Sequence, residues 1–141
     1  MSDPRALYHA TIVKHDREPQ HHGPLPAATN EATIDNPLCG DRVTMRLHIV
    51  DGKVLDAAFE GRGCALSRAA ASIVATRAIG ATPAQLRTLA AAVEALVSAP
   101  ADAAIPPDLG DFEAFVGVRA FKSRRICACL ATRAMAAALE S

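Results

Sequence analysis

Tryptophan is absent from the 141-residue chain, tyrosine occurs once and phenylalanine four times, so aromatics make up only 4% of it. A core must then be built mostly from Ala, Leu, Val and Ile, which suits closely packed helices. A charge of one sign is also missing. Fifteen Lys+Arg balance fifteen Asp+Glu, and without a basic footprint nucleic acid is not the expected partner. No apolar run approaches the roughly 18 residues needed to span a bilayer, so no membrane role is expected. Asp3 and Arg5 are followed by no apolar h-region, so an export signal is not expected and a cytoplasmic protein is. The four cysteines form no CxxC pair, which argues against a thiol oxidoreductase. In a chain without an export signal they read as metal ligands or catalytic thiols rather than a disulfide frame.

What is present is globular. Hydrophobic residues make up 50% and charged residues 21%, and the length fits one domain over residues 1–141 with a core of its own. Residues 4–15 carry Leu7, Tyr8 and Ile12 at helical spacing. A loop from Asp16 to Thr29 contains the pair His21–His22, and residues 31–35 read as a short edge strand. Val43, Met45, Leu47 and Ile49 alternate with Arg42, Thr44, Arg46 and His48, the period of a half-buried strand. Asp51–Gly52 is a hairpin signal, and Lys53 to Glu60 returns as a second strand ended by Gly61 and Gly63.

Four helical stretches follow. Ala65–Ile79 packs on Leu66, Ala70, Ile73 and Val74 and ends at Gly80. A helix to about Ser98 opens on Thr82, Pro83 and Gln85, a cap, a first-turn proline and a capping-box partner. After a proline-rich connection, residues 109–118 form a short helix with Phe112 and Phe115 or Val116 inward. A last helix runs from Ser123 to about Leu139 on Ile126, Leu130 and Ala134. The order predicts an α+β fold, a small antiparallel three-stranded sheet packed against several helices on one face.

Three places carry chemistry. In Asn36-Pro37-Leu38-Cys39-Gly40-Asp41 the proline fixes a turn and Gly40 permits unusual backbone angles, so the Cys39 thiol and the Asp41 carboxylate can converge. In Gly61-Arg62-Gly63-Cys64 the cysteine sits where a strand gives way to a helix. In Arg124-Arg125-Ile126-Cys127-Ala128-Cys129 the thiols lie in the opening turns of the last helix. Helix N-termini favour thiolate, the form that binds metal or attacks sulfur. Three thiolates and one carboxylate would make a tetrahedral site suited to zinc, and thiolates suit iron–sulfur clusters as well. Cys127 and Cys129 point about 200° apart on a regular helix, so only one of them can face such a site. Each feature also has a plainer reading. A single free cysteine is often a small buried hydrophobe. Asp41 alone could cap a turn, and Arg124–Arg125 could be a solvated helix start. His21–His22 read as solvated loop, and His9, His15 and His48 as surface or partly packed residues. Three thiols at separate junctions, one of them beside Gly-Asp, favour a site.

These residues resemble a known family. Asn36–Asp41, Gly61-Arg62-Gly63-Cys64-Ala65-Leu66-Ser67 with Ala71-Ser72, and Cys127-Ala128-Cys129-Leu130 resemble the three signatures of the IscU/NifU N-terminal family of iron–sulfur assembly proteins, across nearly the whole chain. The SufU-like branch is the more similar one. Ile126 stands where the IscU branch has a histidine, the stretch between Cys64 and Cys127 is long, and residues 109–118 and Arg124 match SufU features. Lys122, Ile126 and Thr132 depart from that branch's usual proline, lysine and tryptophan, and Cys129 is an extra thiol.

The resemblance implies an IscU/SufU-like fold and a zinc ion held by Cys39, Asp41, Cys64 and Cys127. It implies a sulfurtransferase acting with a SufS-type cysteine desulfurase. Cys39 would accept persulfide sulfur, with Arg124 nearby as a second catalytic residue, and downstream cluster-assembly proteins would receive the sulfur. A histidine of the desulfurase would take over zinc coordination and free the Cys39 thiolate. Two other readings use the same residues: a scaffold holding iron or a transient [2Fe–2S] cluster, and a zinc-stabilised binding module without sulfur chemistry.

Overall fold

In the computed structural model, residues 9–37 and 40–141 are described. Strand β2 (Asp41–Val50) buries Asp41, Val43, Met45 and Leu47 and turns the intervening residues outward, as period 2 requires. It hairpins through Asp51 (φ 51°) and Gly52 (φ 77°), both in the left-handed region that a tight two-residue hairpin needs. Strand β3 (Lys53–Arg62) then pairs antiparallel with β2. Strand β1 (Asn30–Asn36) pairs on the other edge of β2, giving the order β1-β2-β3. The expected edge strand over 31–35 and the three-stranded antiparallel sheet are both present. Residues 21–23 lie along the free side of β3: the Phe59 N–H donates to the His21 carbonyl at 3.1 Å and the Gly23 N–H to the Phe59 carbonyl at 2.9 Å. The exposed His22 ring stands edge-on to Phe59.

Helices cover the inner face. Helix α1 (Ala10–Arg17) is capped by His9, whose Nδ1 accepts from the Thr11 N–H at 3.1 Å. It runs two residues past the expected end at His15, and the predicted portion from Pro4 to Tyr8 lies outside the described residues. Helix α2 (Ala65–Ala78) is buried on almost every side. Ala69, Ala70, Ala71, Ala75 and Ala78 are all fully enclosed, between the sheet, α1 and the last helix. Alanine lets those neighbours approach closely, which is how a chain so poor in aromatics fills its core. Helix α3 (Pro83–Ser98) has the predicted capping box: the Thr82 hydroxyl accepts from the Gln85 N–H at 3.2 Å, and the Gln85 Oε1 accepts from the Thr82 N–H at 2.9 Å.

The expected short helix over 109–118 is instead a 3-10 segment over Gly110–Ala120. With three residues per turn, side chains three apart eclipse. Phe112 and Phe115 therefore both point into the core, their ring centroids 5.8 Å apart, while Val116 is only half-buried. A further single 3-10 turn, Lys122–Arg124, precedes helix α4 (Arg125–Leu139), so the α-helical part starts two residues later than Ser123. Leu130 and Ala134 are packed as expected, and Ile126 is half-buried.

Candidate metal centre

Three chain segments meet where β2 begins, β3 ends and two helices start. Asp41 is the first residue of β2, Cys64 is the residue that opens α2, and Cys127 is the third residue of α4. One Asp41 carboxylate oxygen and the two Sγ atoms all lie within 4.8 Å of one another. Cys39, the fourth expected ligand, is two residues before Asp41 in the sequence and lies outside the described residues. The site is less exposed than the end of a sheet suggests. Asp41 and Cys127 are 3% and 2% exposed, and only Cys64 is half-buried.

Glycine makes this burial possible. A Cβ on Gly61 would collide with the Arg42 carbonyl, and one on Gly63, whose φ is +143°, would collide with the Asp41 carboxylate. The two bare backbones let β3 and the start of α2 close over Asp41. Asp41 then accepts the Cys64 N–H through Oδ1 at 3.0 Å, while its Oδ2 lies 3.5 Å from the Cys64 sulfur. Cys64 makes no side-chain cap of its own, so the carboxylate satisfies one of the free N–H groups at the start of α2. Ser67, fully buried one turn on, donates to the Cys64 carbonyl at 3.1 Å and keeps its hydroxyl 3.8 Å from the sulfur.

The two thiols act on one another. Cys127 acts as donor to the Cys64 sulfur, which brings Cys64 down from the ordinary 9.0 to about 6 despite its burial and the nearby Asp41 charge. The same bond, followed by burial, pushes Cys127 well above the usual thiol range. A carboxylate and two sulfurs this close cannot all be ionised without a cation among them. Zinc–ligand bonds of about 2.3 Å at tetrahedral angles set ligand separations near about 3.8 Å. The donor set therefore fits zinc, and the Cys64–Asp41 pair, at 3.5 Å, is already close to that spacing.

Cys129 stands apart. It is 1% exposed, and burial, then the neighbouring Glu94 charge, pushes its thiol up to about 12. Cys127 faces the site and Cys129 the α3 side, the divergence that helical spacing dictates. Arg124 is exposed at the start of α4, its N–H bonded to the Phe121 carbonyl at 2.9 Å.

These assignments set a reactivity profile. In metal-free protein, Cys64 alkylation is expected to rise through a midpoint near pH 6. Cys129 stays unmodified at neutral pH. A brief iodoacetamide pulse read by site-resolved mass spectrometry checks both, and a Cys64 midpoint near 9.0 would contradict the influence of Cys127 on Cys64. Because the folded value is the lower one, the thiolate stabilises the fold fully only above the ordinary thiol range. That contribution is lost as pH falls through about 6.

Two buried polar residues were not singled out by sequence reasoning. His15, expected at the surface or partly packed, is 9% exposed; its Nδ1 pairs with the Ser72 hydroxyl at 2.7 Å and its Nε2 with Asp111 at 2.9 Å. Ser72 also accepts the Gln20 N–H at 2.8 Å. The hydroxyl is sealed from solvent, so the array ties α1, α2 and the 3-10 segment together rather than serving as a nucleophile. Arg119 is the other, and its three acceptors lie 15 to 23 residues away in the chain.

This architecture, with a Cys/Asp cluster at the junction of a three-stranded sheet and two helix starts, is that of an iron–sulfur assembly domain. The family model for the NifU-like N-terminal domain matches residues 7–128, and the chain belongs to that family. Among curated relatives it is similar to the "Iron-sulfur cluster assembly scaffold protein IscU" of Streptococcus pyogenes serotype M1, 31% identical over 95% of this chain and 83% of that one. It is also similar to the "Zinc-dependent sulfurtransferase SufU" of Bacillus subtilis, 33% identical over 92% of this chain and 86% of that one. Among solved structures, a NifU-like N-terminal protein from Brucella abortus superposes with a TM-score of 0.88 at 30% identity, covering 96% and 94% of the two chains. A SufU from Fervidobacterium islandicum shares the fold at a TM-score of 0.87 and 24% identity, over 97% and 99%.

Proposed function

We propose that this chain is a zinc-dependent sulfur acceptor and transfer protein that takes persulfide sulfur from a SufS-type cysteine desulfurase. The observation that carries this reading is the convergence of Asp41, Cys64 and Cys127 within 4.8 Å, with Cys39 two residues from Asp41. Zinc bound by Cys39, Asp41, Cys64 and Cys127 would keep the thiolates ionised at neutral pH and masked from oxidants. One hard oxygen among soft sulfurs favours ligand exchange at such a site.

The transfer is a simple displacement. The Cys39 thiolate attacks the outer sulfur of the desulfurase persulfide, a new S–S bond forms on Cys39, and the desulfurase cysteine leaves as thiolate. Arg124 and Cys64 stay at the mouth of the site, and the sulfur passes to downstream cluster-assembly proteins. Ile126 before Cys127, and the long stretch holding α3, favour this reading over a [2Fe–2S] scaffold. Metal analysis of protein purified without air discriminates the two: one zinc per chain, against iron with sulfide. A closed zinc-binding module without sulfur chemistry would carry no persulfide on any cysteine.

The test is Cys39→Ala, assayed for ³⁵S-persulfide acceptance from the desulfurase. Acceptance is expected to be lost, with α-helix content unchanged by circular dichroism. Undiminished acceptance would sink the assignment.

A further inference from the structure

The outer face of the sheet is ordered by charge. In its middle, Arg46 donates to Glu31 at 2.8 Å and to Glu60 at 2.6 Å, and Thr33 pairs with Thr44. Arg42 reaches sideways to Asp35 at 2.8 Å. At the end that meets the metal centre the balance fails. Arg42 and Arg62 are directly opposite each other on β2 and β3, a like-charge cross-strand pair that destabilises a sheet. Arg62 is exposed, two residues before Cys64, and no acidic group is within ion-pair distance of it among the described residues. A shallow hollow of about 260 Å³ opens there between Arg42, Arg46, Glu60 and Arg62.

The same end carries a second unfavourable arrangement. Lys122 is exposed just ahead of α4, whose first turn has no acidic residue. Cations beside a helix N-terminus oppose its dipole. Arg62 stands two residues before Cys64 and Lys122 five before Cys127, whose sulfurs lie within 4.8 Å of one another. In a chain with no net charge, the exposed cations Arg62 and Lys122 thus sit close in sequence to the two paired thiols, each in a locally unfavourable place, the kind of conflict that marks a functional surface.

We propose that Arg62 and Lys122, with Arg42 and Arg124 beside them, dock an acidic surface of the sulfur-donating partner around its persulfide. This rests on the sulfur-acceptor reading above. A bounded acidic protein patch fits better than a polyanion. Asp35, Glu31 and Glu60 follow immediately along the sheet and would repel a continuous phosphate backbone.

The experiment measures binding of the full zinc-loaded chain to the SufS-type desulfurase from the same organism at 50 and 300 mM NaCl. Arg62→Glu/Lys122→Glu is compared with Lys53→Glu/Arg87→Glu, an equal charge change at exposed positions on the hairpin and on α3. The docking double variant is expected to bind at least about tenfold more weakly, mostly through slower association, and to lose most of its salt dependence. The control double stays within about twofold. Arg62→Glu alone should melt about 1–2 °C higher, because it gives Arg42 an opposite partner, and a residue with a merely structural role would not weaken binding while raising the melting temperature. Equal losses in both doubles, wild-type binding indifferent to salt, or no binding at all would overturn the proposal. So would heparin binding as tight as partner binding. If the double variant loses affinity while the wild-type chain accepts no sulfur, docking stands and the sulfur-acceptor reading falls.

Discussion

Gly63→Ala is expected to lower zinc affinity about 100-fold or more, although it touches no ligand atom chemically. The added Cβ would meet the Asp41 side chain over its whole length, down to 2.9 Å from the Asp41 Cβ, at a backbone angle (φ +143°) that side-chain-bearing residues rarely adopt. Asp41 cannot retreat cheaply, because it is buried and its Oδ1 holds the Cys64 N–H. Either the carboxylate leaves the sulfurs or the β3–α2 junction opens and carries Cys64 away. The stability cost is about 2–4 kcal/mol. Gly52→Ala is the matched control: its φ of +77° is also positive, but nothing lies within 4 Å of the new methyl. It costs about 1 kcal/mol in backbone strain and leaves zinc alone. Competition against a chromogenic chelator measures the affinity, and urea unfolding the stability. Full zinc stoichiometry at wild-type affinity in Gly63→Ala would remove Asp41 from the centre.

The second large effect is remote from the candidate metal centre. Arg119→Ala is expected to destabilise the fold by about 3 kcal/mol, near 10 °C in melting temperature, with zinc stoichiometry unchanged below the transition. The Arg119 guanidinium is 6% exposed and donates to the Leu96, Ala103 and Ala104 carbonyls at 2.6, 2.7 and 3.2 Å. Helix α3 has no basic residue in its last turn, so this cation from the 3-10 segment takes up a free carbonyl there and fastens the following loop. Lysine should recover only part of the loss, because a single ammonium cannot reproduce the fork. A melting point within 2 °C of wild type would contradict the account; differential scanning calorimetry decides it.

Arg119 also marks where sequence reasoning stops. The strands were legible because Val43, Met45 and Leu47 alternate with polar residues, the hairpin because Asp51–Gly52 tolerates positive φ, and α3 because its cap is written in Thr82, Pro83 and Gln85. The junction positions of the thiols pointed to a shared site, and helical geometry showed that Cys127 and Cys129 point apart, but the choice of Cys127 over Cys129 came from the resemblance to the IscU/SufU family. Nothing local distinguishes Arg119 from a solvated arginine, since its acceptors are backbone carbonyls of another segment. The same holds for His15, whose partners Ser72 and Asp111 lie 57 and 96 residues away. The 3-10 winding of residues 110–120 was hidden because phenylalanines three apart suit either helix. Gly61 and Gly63 were read as punctuation that ends a strand, whereas their larger role is the room they leave for Asp41.

The alanine lining of α2 has a further consequence. Methyl groups have no rotamers to adjust, so where α2 touches the sheet and α4 its distance from them is a fixed gauge. Cys64 and Cys127 ride on the starts of those two helices like the jaws of a caliper locked at one setting. Bulkier residues at Ala70 or Ala71 would press α2 away from its neighbours and so shift Cys64 relative to Cys127 without touching either cysteine.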